Sequence, residues 1–395
     1  MSAASKIPKN KSKIPKNKKE TNELKKAFTL LTLCALVISV ALFSASCGVE
    51  EYQLGELTGT FTRDLEGTTI NVFNWGQNIS DGSEGSLDIN KAFEEVTGIK
   101  VNYINYDSNE AMYAKLKSGA VSYDIVIPSD YMIERLINEN MIQKIDLSKI
   151  DNYKYIDEQY KNVFFDPNNE YSVPYTVGMV GLIYNTTMVE GTPDSWSIMW
   201  DEAYKDNVLT FNNPRDAFAI AQFLLGQDIN STNKADWDAA AAKLKEQIPV
   251  LQGLVMDDVF NKMQSANAAI APYYAGDYLT MADINPDLAF VYPKEGTNIF
   301  IDSMCIPANA QNYEAALMYI NFMLEPEVAL QNSEYIYYAS PNTAVVNNPE
   351  YSLYGNEIIY PSEEAKKNTQ YFHDIDPEIR SYYEKLWEEF LREFN

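Results

Sequence analysis

Histidine is nearly missing from this sequence: His373 is the only one among 395 residues. A zinc or iron centre built from several imidazoles is therefore excluded, and any Ser-His-Asp or Cys-His nucleophile would depend on that single residue. Cysteine is scarce too, and three of them cannot make a disulfide framework. Bases are in deficit, with 31 lysines and arginines against 56 aspartates and glutamates, a net charge of −25. A chain so short of positive charge is poorly suited to gripping phosphates, so no nucleic acid is expected as a partner. Its field attracts cations instead.

The negative charge is unevenly placed. Residues 1–46 carry nine lysines and two acids, which leaves 22 bases against 54 acids, a net of −32, for residues 47–395. That remainder, about 350 residues, is roughly two domains' worth of chain. A composition of 46% apolar and 13% aromatic residues can fill substantial cores. After Lys25 and Lys26 comes an apolar run over residues 27–46 (AFTLLTLCALVISVALFSAS), then Cys47, Gly48 and a Glu-rich stretch. Charge, apolar run and polar chain follow each other in the order of a signal peptide. A run of about 20 residues is also long enough for a transmembrane anchor. Either way the remainder sits outside the cytoplasmic membrane. Ser44, Ala45 and Ser46 directly before Cys47 resemble the lipobox of bacterial lipoproteins, with Ser44 standing where Leu or Val is usual. The resemblance implies diacylation of Cys47, which becomes the first residue and holds the protein to the cell membrane. Ahead of this lies KIPKNK at residues 6–11 and again at 13–18, too polar and Pro-broken to fold. Translation starting at Leu24 would remove it and leave an ordinary signal peptide. Cys305 then remains as the free thiol, and its neighbours Met304 and Ile306 predict a small core residue.

Residues 53–66 read as a polar tether, within a membrane-tether segment assigned to residues 47–67. Folding is expected to begin at residues 69–75 (TINVFNW), which alternate like a strand. Residues 89–96 followed by Thr97 and Gly98 predict a helix with a glycine stop, and residues 99–103 the next strand. Helices over 109–117 and 131–138 flank a buried strand over 123–128. This is the βαβ alternation of a parallel sheet covered on both faces. It resumes with strands at 181–184, 207–211, 268–271 and 288–292 and helices at 217–225, 234–247, 313–324 and 379–394. Two α/β units around a cleft are expected, with ligand beyond the carboxyl ends of the strands near Trp75, Ser129, Asn213 and Tyr274.

Aromatic and acidic residues crowd those strand ends: NWGQ at 74–77, PSDY at 128–131, NNPRD at 212–216, PYYAGD at 272–277, FIDS at 300–303 and YYASPN at 337–342. The combination describes a cation pocket. Aromatic faces attract ammonium groups by about 0.5 to 2 kcal/mol each and also cover methylenes, and Asp216, Asp277 and Asp302 would add charge-assisted hydrogen bonds. With 28 tyrosines in the chain, any single one of these can equally be ordinary surface.

The strings NWGQ, TGIKVNYINYDSNEAMYAKLKSG, YDIVIPSDYM, NMIQKIDLSKI, DPNNEYSVPY, VYPKEGTNIFIDSMCIPANA and YYASPN resemble the spermidine/putrescine substrate-binding proteins of bacterial ABC importers, in one register over residues 68–372. The resemblance implies an α/β, two-lobed type II periplasmic-binding-protein fold that closes over a polyamine and docks on permease subunits. It implies lobe 1 from residues 68–180 and 301–346 and lobe 2 from residues 181–300 and 347–395, with chain crossings near Gly181, Phe300 and Val346. By the family's motifs the ligand-binding residues are Trp75, Ser129, Tyr131, Asp216, Tyr274, Asp277, Phe300, Asp302 and Tyr338. Phe300 with Asp277 resembles the putrescine-selective pattern. Asn78 stands where relatives carry an aromatic, Asn213 where some carry Asp, and about six extra residues follow near 80–86.

A monomer without catalysis, cofactor or metal is expected on this reading. Two others remain open. Tyr273-Tyr274 and Tyr337-Tyr338 are adjacent phenols that could ligate ferric iron in an iron carrier. The many acids could serve a surface glycoside hydrolase with a carboxylate pair.

Overall fold

The strand and helix alternation expected over residues 69–138 is present in the computed structural model, which describes residues 52–395. The basic repeat, the apolar run and Cys47 lie outside the described residues. Strand β1 (Thr69–Trp75) pairs in parallel with β2 (Lys100–Tyr106) on one side and with β3 (Ile125–Val126) on the other. Helix α1 (Ile89–Thr97) connects the first two; Asp88 accepts the Lys91 N–H at its start and Gly98, at φ 73°, ends it. Helix α2 (Asn109–Ser118), capped by Ser108 and stopped by Gly119, leads into β3, and α3 (Asp130–Asn138) follows directly. Along β1, Ile70 and Val72 join one apolar cluster and Phe73 the other. Successive side chains point to opposite faces of a strand, so both faces of this sheet are buried.

Strand β4 (Ile142–Gln143) is short, and β5 (Ser172–Asn185) is the longest of the described strands. After it come β6 (Val208–Phe211), α4 (Pro214–Leu224), α5 (Lys234–Gln247), β7 (Leu251–Val255), α6 (Asp258–Gln264), β8 (Ile270–Tyr274), α7 (Ala275–Ile284), β9 (Leu288–Val291) and β10 (Thr297–Pro307). Helices α8 (Tyr313–Met323), α9 (Pro326–Ile336) and α10 (Thr343–Val346), strand β11 (Thr369–Gln370) and helix α11 (Pro377–Phe394) complete the described chain. The strand order is β2-β1-β3-β10-β5-β8-β6-β7, with β4 and β11 on β10 and β9 on β5. Strand β5 changes partner along its length: residues 172–179 pair with β10 and Val180 onward with β8 and β9.

Residues 52–66 depart from the expected free tether. Leu54, Leu57, Phe61 and Leu65 pack on the cluster of β1, α1 and α8, and Phe61 meets Phe322 edge-on at 5.5 Å. The Thr58 and Gly59 N–H groups donate to the buried Glu325 carboxylate, and the Tyr52 hydroxyl donates to Glu327. Four apolar side chains spaced through a polar stretch explain the docking; exposing them would cost more than ordering the segment. Cys305 is fully buried, as expected. No helix among the described residues is long and apolar enough to cross a membrane.

Candidate functional site

The carboxyl ends of β1, β3, β6, β7 and β8 converge on one narrow cleft. Trp75 is the last residue of β1, and its ring lies 4.7 Å from that of Tyr106. Ser129 stands at the N-terminal boundary of α3 just beyond β3, its side chain not used as a cap, and Tyr131 lies in that helix's first turn. Asn213, at the end of the β6 segment, caps α4 by accepting the Arg215 and Asp216 N–H groups, with Pro214 pre-set for the first helical position. That cap fixes Asp216 in the first turn, facing the cleft. Tyr274 closes β8 and Asp277 lies three residues on, in the first turn of α7, so strand end and helix turn present both side chains together. Phe300 and Asp302 are two residues apart on β10 and share a face. Tyr338 follows Tyr337, whose left-handed backbone (φ 59°) ends α9 and turns the chain inward. All nine residues expected at the site line this cleft.

Each aspartate is buried and held by hydroxyls. Ser129 Oγ donates to Asp302 Oδ1 at 2.6 Å and Thr176 Oγ1 to Asp302 Oδ2 at 3.2 Å. Burial pushes the Asp302 carboxyl up to about 7, against those two hydrogen bonds. The Tyr274 hydroxyl donates to Asp216 Oδ2 at 3.1 Å, and Asn213 Nδ2 donates to the same oxygen. Burial again dominates, raising Asp216 to about 7 despite these donors and the nearby Arg215 charge, with Glu110 adding to the rise. The Tyr338 hydroxyl donates to Asp277 Oδ2 at 3.1 Å, and burial lifts Asp277 to about 8, with Asp257 and Asp302 contributing. Ser129 spends its proton on Asp302, and the Tyr131 hydroxyl donates to Glu110 at 2.8 Å.

Aromatic rings box the space. Phe300 meets Tyr274 edge-on at 5.4 Å and stands 6.4 Å from Tyr338. Two glycines make room for them: a Cβ at Gly178 would stand 2.4 Å from Phe300 Cζ, and one at Gly276 2.5 Å from Tyr338 Cδ2. The free space is small, about 60 Å³. Its lining contains no lysine, arginine or histidine among the described residues. Arg215 sits behind it, against the rings of Phe372 at 4.4 Å and Tyr131 at 5.4 Å. Asn78 Oδ1 and Asn298 Oδ1 line the cleft, buried and with no donor. Trp75 Nε1 is the one unpaired buried donor of this lining among the described residues, set against those two amide oxygens and three carboxylates, and an excess of acceptors calls for a ligand that brings N–H groups.

Several lining residues escaped the sequence reading. Asp107, Met256 and Asp257 follow strand ends, as the rule for open sheets would suggest, but β7 (LQGLV) was hidden by the lack of alternation around Gly253. Asn298 lies inside the string VYPKEGTNIFIDSMCIPANA, two residues before Phe300, but is neither aromatic nor acidic, and Phe372 lies far from the other strand-end clusters. The adjacent phenols do not converge as iron ligands would. Tyr273 donates to Asp257, Tyr274 to Asp216, Tyr337 to Asp283 and Tyr338 to Asp277. Burial raises each of these phenols, which disfavours the phenolate that iron binds. His373 lies outside the cleft, its ring 4.2 Å from Phe164.

Residues 88–356 match the family model described as bacterial extracellular solute-binding protein. The chain is similar to the spermidine/putrescine-binding periplasmic protein of Escherichia coli, at 35% identity over 81% of this chain and 92% of that protein. It is 28% identical to the putrescine-binding periplasmic protein of the same organism, over 82% and 92% of the two chains. Among solved structures, the spermidine/putrescine ABC transporter substrate-binding protein of Streptococcus pneumoniae aligns at 34% identity with a TM-score of 0.69, covering 83% of this chain and all (100%) of that one. An ABC transporter protein of Listeria monocytogenes aligns at 36% identity and a TM-score of 0.78, covering 82% and 99%.

Proposed function

Because the chain belongs to the bacterial extracellular solute-binding proteins, we propose that it is the polyamine-capturing component of an ABC importer, closing over putrescine or spermidine and delivering it to permease subunits. Its relatives are transport proteins and not enzymes, which favours this over hydrolysis. The observation that carries the reading is the cleft's excess of acceptors: buried Asp216, Asp277 and Asp302, the unpaired Asn78 and Asn298 oxygens and aromatic walls, with no lysine, arginine or histidine in the lining.

A diamine at neutral pH carries two charges, and burying an ion unpaired costs several kcal/mol. Asp302, between Ser129 and Thr176, grips one ammonium. Asp277 and Asp216 receive the other. Trp75, Tyr274, Phe300 and Tyr338 cover the methylenes, while Ser129, Tyr274 and Tyr338 orient the three carboxylates through their hydroxyls and Tyr131 adds to the wall. The narrow space suits a slender chain better than a sugar ring. Closure of the lobes, residues 68–180 with 301–346 against 181–300 with 347–395, follows from contacts made only when both face the ligand. Lipid attachment through Cys47 would hold the binding protein beside its permease.

Calorimetry on Asp302→Asn tests the assignment. Putrescine affinity should fall at least 100-fold, and a value within a few-fold of wild type would sink it. A thermal-shift panel of putrescine, cadaverine, spermidine, spermine and oligosaccharides separates the rivals, since only bound ligands raise the midpoint.

A further inference from the structure

The β5–β10 pair has a second face. Thr176, Phe300 and Asp302 serve the cleft, whereas Val177, Met179 and Ile299, on alternate positions, line another cavity of about 380 Å³, which meets the cleft at Tyr338, a residue that borders both. A neighbouring cavity of about 410 Å³ shares Gln159, Tyr160 and Tyr360 with it. We propose that this rear cavity is a second binding site, for an organic monocation: an ammonium group on an aromatic or branched aliphatic body.

Three features select that chemistry. The walls are rich in phenol rings, from Tyr160, Tyr292, Tyr351, Tyr360 and Tyr371, whose faces attract ammonium groups. Two of the rings are locked in place: Tyr292 donates to the Ile358 carbonyl, and Tyr360 donates to Tyr351 at 3.2 Å while accepting the Ser340 N–H at 3.1 Å. By contrast the Tyr160 and Tyr371 hydroxyls have no hydrogen-bond partner among the described residues, so they are available to a guest.

Charge sets the valence. Lys366 is ion-paired with Glu363, which leaves Asp157, in the wall of the neighbouring cavity and with its Oδ1 accepting the Gln159 N–H at 3.0 Å, as the carboxylate without an ion pair where the two spaces meet. One carboxylate matches one ammonium, in contrast to the three aspartates of the cleft. Size sets the shape. A space this much wider than the front cleft would leave a bare polymethylene chain uncovered on one side, while a ring-bearing body can reach Val177, Met179 and Ile299 and the phenol faces together.

Benzyltrimethylammonium, titrated calorimetrically into the lipid-free protein (residues 48–395) with and without saturating putrescine, is the test. One saturable site is expected in both conditions and in Asp302→Asn, weakened at least tenfold by Asp157→Asn and by Tyr371→Leu. The neutral isostere neopentylbenzene, which needs no variant, should bind at least tenfold more weakly to the wild type. Absence of saturable binding, displacement by putrescine together with loss in Asp302→Asn, or equal affinity for the neutral isostere each overturns the proposal.

Discussion

Burial outweighs the hydroxyls that bond Asp216, Asp277 and Asp302 and pushes their carboxyls up to about 7, 8 and 7. An unfolded aspartate titrates near about 3.9. Between these values the folded protein holds more protons than the unfolded chain, so the empty protein should lose stability as pH rises from about 4 to about 8, and level off above. A bound diammonium reverses the preference by favouring the carboxylates, while aliphatic amines stay charged throughout that window. Polyamine affinity should therefore rise with pH up to about 8, with protons released on binding below it. Titrations at about pH 6.5 in two buffers of different protonation enthalpy read that release, and identical heats would contradict the ionisation scheme. A steric test leaves the charges alone. Gly178→Ala and Gly276→Ala drive a methyl into Phe300 and Tyr338. Each should weaken putrescine about tenfold and destabilise by about 1 to 3 kcal/mol, measured by calorimetry and urea unfolding. At this scale the cleft was well signalled, since aromatic and acidic residues after strand ends are expensive unless used. What stayed hidden is which hydroxyl serves which acid: Ser129 reaches Asp302 across 173 positions of sequence, a pairing that only the fold brings about.

Among the elements, β5 shows why legibility is uneven. Residues 181–184 read as a strand, yet the strand begins at Ser172, and its burial is nearly continuous. With both faces covered there is no alternation to detect, and Pro174 argues against a strand. It is tolerated because Pro174 opposes Ser303 at the register shift of β10, where the ladder is already irregular. Helix α7 was missed because PYYAGD reads as a loop; Gly276 is kept for the Tyr338 ring at some cost in helix propensity. The docked segment of residues 52–66 was misjudged by its mean polarity. Its attachment depends on Glu325, which is fully buried and accepts from the Thr58 and Gly59 N–H groups and from Asn152 Nδ2 at 2.8 Å. Glu325→Ala removes the acceptor shared by the Thr58 and Gly59 N–H groups and Asn152 Nδ2, which keeps its bond to the Asn321 carbonyl, and each buried group left unsatisfied costs about 1 to 3 kcal/mol. Unfolding should shift by at least about 2 kcal/mol, and a protein shortened to begin at residue 67 should lose comparable stability while still binding putrescine. Unchanged urea midpoints in both would mean that the segment contributes nothing to the fold.

For the whole molecule, composition announced a cation-seeking protein before any motif was found, and the cleft refines what that charge does. Of the 54 acids in residues 47–395, only Asp216, Asp277 and Asp302 are assigned to the polyamine, so most of the charge reaches that ligand only at a distance. A net charge of −32 surrounds the cleft with a field that concentrates dications and speeds their encounter. Such a field is screened beyond about 10 Å at 0.1 M salt and beyond about 3 Å at 1 M. The buried aspartates, desolvated and at contact distance from any ligand, are screened far less. The two contributions therefore separate kinetically. Raising salt from about 0.01 to 0.5 M should slow putrescine association at least tenfold and leave dissociation within about twofold. Stopped-flow fluorescence reads both rates, with Trp75 at the cleft as the reporter. Were the dissociation rate to carry the salt dependence instead, the grip would lie in exposed surface charge, and the assignment of specificity to three buried carboxylates would fail.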